Sequence, residues 1–320
     1  MRRIAWWTAG CAALWLALSA FIGIIAMEGA LHPLRQPLTQ EDLTESRYLA
    51  ARDGATLADV SLTAEDGTTL RAWNFLRRKG NGDAVILLHG QGDNRAGMLG
   101  TADVLLRHGY SVLMPDARAQ GESGGTIATY GVKEVDDVRR WYAWLEQSLS
   151  PHCIYGLGDS MGAAIVLEAS AIERGFCAVV AESGFSSFRE AGYVRLGQAF
   201  HTGPWLGKTL LLPAVEAGMM DARWRYGVDL ERASPAKAVA ASRVPTLLIH
   251  GLADMNLPAR FSEEMKAENA AIALWEPVNA GHCGAASTEP AEYERRVVDW
   301  FAGHSAARSA RQELKPILLR

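Results

Sequence analysis

The sequence predicts a doubly wound α/β fold with a mostly parallel sheet, an inserted helical cap and an N-terminal transmembrane helix. Three observations carry that prediction. Short apolar runs recur between Ala84 and Trp275, each followed by a glycine-rich loop and a helical pattern. Between them lie amphipathic stripes such as Val135, Val138, Tyr142 and Leu145, spaced as one face of a helix packed on a sheet. Ahead of all this, Ile4 to Met27 contains no charged residue. Alternating strand and helix signals mean a parallel sheet with helices on its faces, whose ligands bind outside the carboxyl ends of the strands. Each residue that carries chemistry should therefore sit in a loop directly after a strand.

In chain order, residues 1–3 form a stub with Arg2 and Arg3. The uncharged stretch 4–27, at about 1.5 Å rise per residue, crosses a hydrocarbon core of about 30 Å with some tilt. A cleaved signal peptide is the rival reading, but its apolar region usually runs to about 7–15 residues before a small-x-small site. Ala26-Met27-Glu28-Gly29-Ala30 matches such a site poorly, so the expectation is a retained single-pass anchor. The arginine-rich side of a span stays in the cytoplasm. Arg2 and Arg3 precede this span and only Arg35 follows it closely, which makes the stub cytoplasmic and puts the rest on the extracytoplasmic side. Residues 28–58 mix Pro33, Pro37, charges and short apolar stretches without a sustained period and read as a juxtamembrane linker.

The α/β domain is expected over 59–303. Asp59–Ala64 and Thr68–Leu76 are β-rich runs around Glu65-Asp66-Gly67, a hairpin signal. Ala84–Leu88, Ser111–Met114, Cys153–Tyr155, Ala178–Ala181, Thr246–Ile249 and Ile272–Trp275 fit strands buried on both faces. Tyr293, Val297 and Phe301 mark a closing helix. The rhythm breaks at about 185–242, far longer than the dozen or so residues a simple crossover needs. An inserted cap is expected there, with Phe200, Trp205, Leu210–Leu212 and Trp224 walling a substrate pocket; helices packed on the sheet edge are the alternative. Residues 304–320 read as a polar tail. Because every strand and motif lies downstream, removal of residues 1–30 is expected to leave a soluble protein with its site intact.

Composition excludes some partners. A net charge of −4 leaves no basic excess for nucleic acid. Of the 4 cysteines, Cys11 lies in the span, so Cys153, Cys177 and Cys283 allow at most one internal disulfide. With neither C-x-x-C nor H-E-x-x-H, no metal site and no cofactor are expected.

Gly158-Asp159-Ser160-Met161-Gly162 follows one expected strand and opens a helical run, the context in which G-x-S-x-G presents a serine hydroxyl on a sharp turn. A serine hydroxyl needs a base within hydrogen-bond reach, oriented in turn by a third group. In such folds the chain order is serine, acid, histidine. Asp254 follows the strand Thr246–Ile249, and His282 follows Ile272–Trp275, so both occupy post-strand loops in that order. The developing oxyanion needs preorganised donors. The backbone N–H groups of Met161, after the serine, and of Gln91, in His89-Gly90-Gln91-Gly92, are the candidates. His89 and His250 read as structural histidines, and Asp116 and Arg118 as polar braces of their loop.

Residues from about Asp59 to Gly303 resemble the α/β-hydrolase superfamily. The resemblance rests on His89-Gly90-Gln91-Gly92, Asp116-Ala117-Arg118-Ala119-Gln120-Gly121-Glu122-Ser123, Gly158-Asp159-Ser160-Met161-Gly162, His250-Gly251-Leu252-Ala253-Asp254 and Ala280-Gly281-His282. Within the superfamily the chain is similar to membrane-anchored hydrolase-domain proteins related to serine aminopeptidases and prolyl oligopeptidases. Ala117 and Ala119 depart from that group's pattern, which reads an aromatic residue and a glycine before the glycine-rich segment. The expected activity is a serine hydrolase forming an acyl-enzyme, acting on small-molecule carboxylesters with apolar acyl groups. A serine peptidase or amidase acting on short peptides is the alternative, with Glu182, Glu190 or Glu216 available to hold a substrate ammonium. A noncatalytic, membrane-tethered binding module is the third reading.

Overall fold

Apolar runs such as Ala84–Leu88 cannot leave either face in water, and the chain answers by placing them at the centre of one sheet. The computed structural model of the protein describes residues 2–314, without the side chains of Arg2, Arg3, Ala5 and residues 306–314. In order, the elements are α1 (Arg2–Leu31), α2 (Gln40–Arg52), β1 (Thr56–Thr63), β2 (Thr69–Leu76), β3 (Ala84–Leu88), α3 (Leu99–Arg107), β4 (Ser111–Pro115), α4 (Glu134–Leu149), β5 (Ile154–Asp159), α5 (Met161–Ile172) and β6 (Val179–Glu182). There follow α6 (Phe188–Ala199), α7 (Trp205–Lys208), α8 (Leu212–Tyr226), α9 (Pro235–Ala241), β7 (Thr246–Ile249), α10 (Arg260–Glu268), β8 (Ala273–Trp275), α11 (Ala285–Thr288) and α12 (Pro290–Leu314).

The 8-stranded sheet runs β1-β2-β4-β3-β5-β6-β7-β8. The β1–β2 hairpin is antiparallel, β2 pairs antiparallel with β4, and the rest is parallel. Successive side chains on a strand point to opposite faces. Ala84, Ile86 and Leu88 accordingly pack with α4 and α5, whereas Val85 and Leu87 pack with α3 and α12. A disulfide joins Cys153, before β5, to Cys177, before β6.

Two expectations change at the ends of the chain. Residues 28–58 are not a free linker. Helix α1 continues to Leu31, and α2 opens on a reciprocal cap in which Thr39 accepts the Asp42 N–H and Asp42 accepts the Thr39 N–H. Helix α2 has few apolar side chains, so its period is faint, yet Ser46, Leu49 and Ala50 are buried. Between the helices, Arg35 donates to the carbonyls of Ser123 and Gly125, which ties this segment to the domain. At the other end, α12 carries through residues 304–314, where a polar tail is expected; Ser305 donates to Asp83 and the His304 ring lies tilted against Trp300. Met1 of the stub and residues 315–320 of the tail lie outside the described residues.

The apolar stretch 4–27 lies within α1, which is long and apolar enough to cross a membrane. Its described side chains from Ile4 to Leu18 are exposed. From there the helix docks on α8 through buried Ser19, Gly23, Met27 and Leu31, one turn apart. A Cβ on Gly23 would collide with the Ala214 carbonyl, and one on Gly218 would press on Gly23, so small residues let the two backbones approach closely. Residues 185–242 hold α6 to α9: α6 and α8 stand over the carboxyl ends of the strands, while α9 packs beside α5.

Candidate active site

Strand β5 ends at Asp159 and α5 begins at Met161, which leaves Ser160 alone in the turn at φ 54°, ψ −109°. Such a conformation is strained for a residue with a Cβ and persists only where the surroundings impose it. Here they do. The Ser160 N–H donates to the Glu182 carbonyl at 2.8 Å, and the flanking glycines allow the crossing. A Cβ on Gly162 would strike the Leu88 carbonyl, and one on Gly158 the Gly162 backbone.

The loop after β8 brings the His282 Nε2 to 2.9 Å from the Ser160 Oγ. His282 Nδ1 lies 2.8 Å from Asp254 Oδ2, in the loop after β7. With the ring proton held on Nδ1 by the carboxylate, Nε2 accepts the serine hydroxyl. Burial alone would raise the Asp254 pKa. Hydrogen bonds from His250, His282 and the Leu257 N–H outweigh it and hold the carboxylate well below its usual range. Asp254 Oδ1 accepts the N–H groups of Asn256 at 2.8 Å and Leu257 at 2.9 Å, so its orientation is set independently of the histidine.

Gln91 and Met161 both lie beside Ser160, and their N–H groups meet no acceptor among the described residues. Gln120, buried, accepts the Gly92 N–H and donates toward the Met161 sulfur, bracing both loops at once. His89 donates to its neighbour's carbonyl and accepts the Ala117 N–H, which makes it structural. His250 bonds Ser262 and the Leu257 carbonyl and lies against Asp254. Asp116 takes the Arg95 and Glu122 N–H groups, and Arg118 forks onto Asp137, so both brace their loops. That loop keeps a left-handed residue at Ala119, φ 61°, despite lacking glycine there.

Beneath the three residues are two carboxyls. Burial pushes Glu182 up to about 7, against the Ala285 N–H and the nearby His250 and His282. Burial and then the Glu182 charge push Asp159 well above its ordinary range. Burial likewise pushes the Cys283 thiol up, leaving it little thiolate and little reactivity. The raised Glu182 has a consequence for stability. The folded chain holds a proton that the unfolded chain releases, so stability is complete below the ordinary glutamate pKa and falls as pH rises toward 7. Glu182→Gln keeps the acceptor for Ala285 without the charge. Its melting temperature should gain on the parent between about pH 5 and pH 8, by on the order of 1–3 kcal/mol in stability. An equal difference at both pH values would mean that Glu182 titrates normally.

A cavity of about 420 Å³ opens from Ser160. Its wall is apolar: Phe185, Phe188 and Leu196 near α6, Val215 and Met219 of α8, and Met27 of α1. No carboxylate lines it among the described residues, and its cations are Arg189 and Arg195. Arg189 is paired with Glu216 and Glu231. Two sequence readings are corrected here. Phe200, Trp205 and Trp224 do not wall the pocket; they are 47%, 54% and 81% exposed, Trp224 because α8 turns Val215, Gly218, Met219 and Ala222 inward. Glu182, Glu190 and Glu216 present no free carboxylate to a substrate: the first is buried below the serine, the second pairs with Lys208, and the third with Arg189.

Sequence reasoning also missed α1. Gly23, Ala26, Met27 and Ala30 line the cavity, and the Ala30 carbonyl accepts from the Gln91 side chain at 3.2 Å and the Tyr130 hydroxyl at 2.7 Å. The one available signal was the spacing of Ser19, Gly23 and Met27 within a uniformly apolar run. Deleting residues 1–30 therefore strips a wall and a brace of the Gln91 loop. We expect deletion of 1–18 to leave kcat/KM for hydrolysis of an apolar substrate near the parent's. Deletion of 1–31 should lower it at least about tenfold, the effect of uncovering some two buried methylenes of substrate. Equal rates for the two truncations would make α1 a tether alone.

Comparison with known proteins agrees with the fold. The sequence profile described as "Alpha/beta hydrolase family" matches residues 85–296. The uncharacterized protein Rv2307c of Mycobacterium tuberculosis is 29% identical over 212 residues, 65% of this chain and 66% of its own length, just under two thirds. The solved structure of the Pyrococcus furiosus esterase Pf2001 superposes with a TM-score of 0.66 at 23% identity, covering 86% of this chain and 100% of that one. A puromycin-hydrolyzing peptidase of Mycobacterium tuberculosis superposes at 0.61 with 16% identity, over 78% of this chain and 39% of that one.

Proposed function

For a chain that belongs to the alpha/beta hydrolase family, we propose the activity of a serine esterase acting through an acyl-enzyme. Ser160 Oγ attacks the ester carbonyl while His282 Nε2 takes its proton and Asp254 holds and stabilises the imidazolium. The oxyanion rests between the N–H groups of Gln91 and Met161. Its collapse expels the alcohol, which takes the proton from His282; water, deprotonated by the same nitrogen, then releases the acid and restores Ser160. The observation that carries this reading is the hydrogen-bonded line from Ser160 through His282 to Asp254, ending in an apolar cavity.

A peptidase reading draws on the peptidase among the structural neighbours. The cavity favours the ester: a substrate ammonium would meet Arg189 and Arg195 and no carboxylate. A fluorophosphonate probe, followed by p-nitrophenyl esters of increasing chain length and an aminoacyl p-nitroanilide, tests the proposal. Labelling at Ser160 with ester rates rising with chain length supports it. No labelling supports the noncatalytic module, and faster anilide cleavage the peptidase. We place the domain on the extracytoplasmic side, as Arg2 and Arg3 direct, and the Cys153–Cys177 disulfide accords with an oxidising compartment. Protection from protease outside the membrane would reverse that orientation.

A further inference from the structure

The anchor and the cavity share residues, and this sets where substrate comes from. Only residues 4–18 of α1 stand clear of the domain, about 22 Å of helix at about 1.5 Å per residue. A hydrocarbon core of about 30 Å exceeds that by roughly five residues. A helix that crosses must therefore be embedded to about Gly23, where it is already docked on Ala214. Gly23 and Ala214 both line the cavity that reaches Ser160. Ala26, one turn on, lines it as well and is itself exposed, as are Arg195 and Ala199 of α6, so α1 and α6 both carry exposed edges of the cavity.

Helix register gives the level of the remaining surface. Gly23 meets Ala214 and Gly218, while Glu28 pairs with Arg225 and Tyr226, so α1 and α8 run in the same direction. The start of α8 thus lies on the membrane side. Leu210 and Leu212, at that start, are exposed, as is Trp205 of the preceding α7. Tryptophan favours the membrane interface, which suits these exposed side chains to that level.

We infer that the substrate is a long-chain lipid ester taken laterally from the bilayer, its acyl chain lying in the cavity beside the α1–α8 contact with its carbonyl at Ser160. This rests on the esterase reading above. The site is then fed by the membrane and not by water, and the anchor is part of the binding site.

The test uses the full-length chain in phosphatidylcholine vesicles carrying a long-chain alkyl fluorophosphonate with a terminal diazirine. After reaction at Ser160 and photolysis, the adduct should map to residues 19–31 or 212–222. Ala26→Trp, which fills the opening, should lower the ratio of kcat/KM on a vesicle-borne long-chain monoacylglycerol to that on p-nitrophenyl acetate by at least about tenfold. Adducts confined to other segments, or an unchanged ratio, overturn the lateral entry. Labelling of Ser160 by a short soluble fluorophosphonate but not by the vesicle-borne probe overturns it too and leaves the esterase reading standing. Failure of both probes removes the esterase reading and the inference with it.

Discussion

Ser160→Ala is expected to lower kcat on a p-nitrophenyl ester by about 10⁶, the scale of loss when a serine nucleophile is removed from a triad, and to abolish fluorophosphonate labelling. The size follows from the site. Ser160 is the only hydroxyl to which His282 Nε2 is bonded among the described residues, and the strained turn that carries it is built for one residue. Neighbouring candidates are less suited: the Ser183 hydroxyl accepts the Cys283 N–H, and partial burial raises the pKa of the Cys283 thiol. What survives should be the contribution of the Gln91 and Met161 N–H groups and of binding. Labelling that persists on another side chain would show a different nucleophile. Alanine at 160 relieves no glycine contact and keeps the N–H bond to Glu182, so the variant should fold as the parent does.

Asp254→Asn should cost about 10⁴ in kcat, less than the loss of the nucleophile because the acid orients and stabilises without attacking. The substitution leaves the loop in place, since an asparagine oxygen still accepts the Asn256 and Leu257 N–H groups. It changes the face toward His282. An amide presented to Nδ1 favours the wrong tautomer, moving the ring proton to Nε2, where it confronts the Ser160 hydroxyl. His250, 3.4 Å from the same carboxylate oxygen, loses its negative partner as well. A kcat within about threefold of the parent would send the search for the acid elsewhere. A matching loss of melting temperature would mean that the loop had collapsed and would call for Asp254→Glu.

Strong local signals explain what was legible beforehand. A strand buried on both faces reads as an unbroken apolar run, and β3, β4 and β7 lie where Ala84–Leu88, Ser111–Met114 and Thr246–Ile249 predict. Ser160, Asp254 and His282 come together because each follows a strand, and topology brings strand ends together wherever the helices lie. Strand boundaries slipped by a few residues, as at β5, which runs to Asp159 because Asp159 pairs with Glu182 of β6 beyond the apolar stretch.

The pocket was not legible, for a reason of the same kind. Large exposed aromatics and large buried ones are the same letters, and only the turn of α8 about its axis decides that Trp224 faces out and Met219 in. Residues 28–58 misled because α2 is fastened by a capping box and by neighbours, not by an apolar stripe.

By itself, then, the sequence determined the parallel sheet, the order of its chemistry-bearing loops and the presence of one long apolar helix, because period, turn chemistry and chain order are local properties. Only the tertiary structure decided that the helix also walls the cavity. A uniformly apolar segment carries no mark of which face meets lipid and which meets protein; that was settled by Gly23 and Gly218, whose missing side chains let α1 lie against α8.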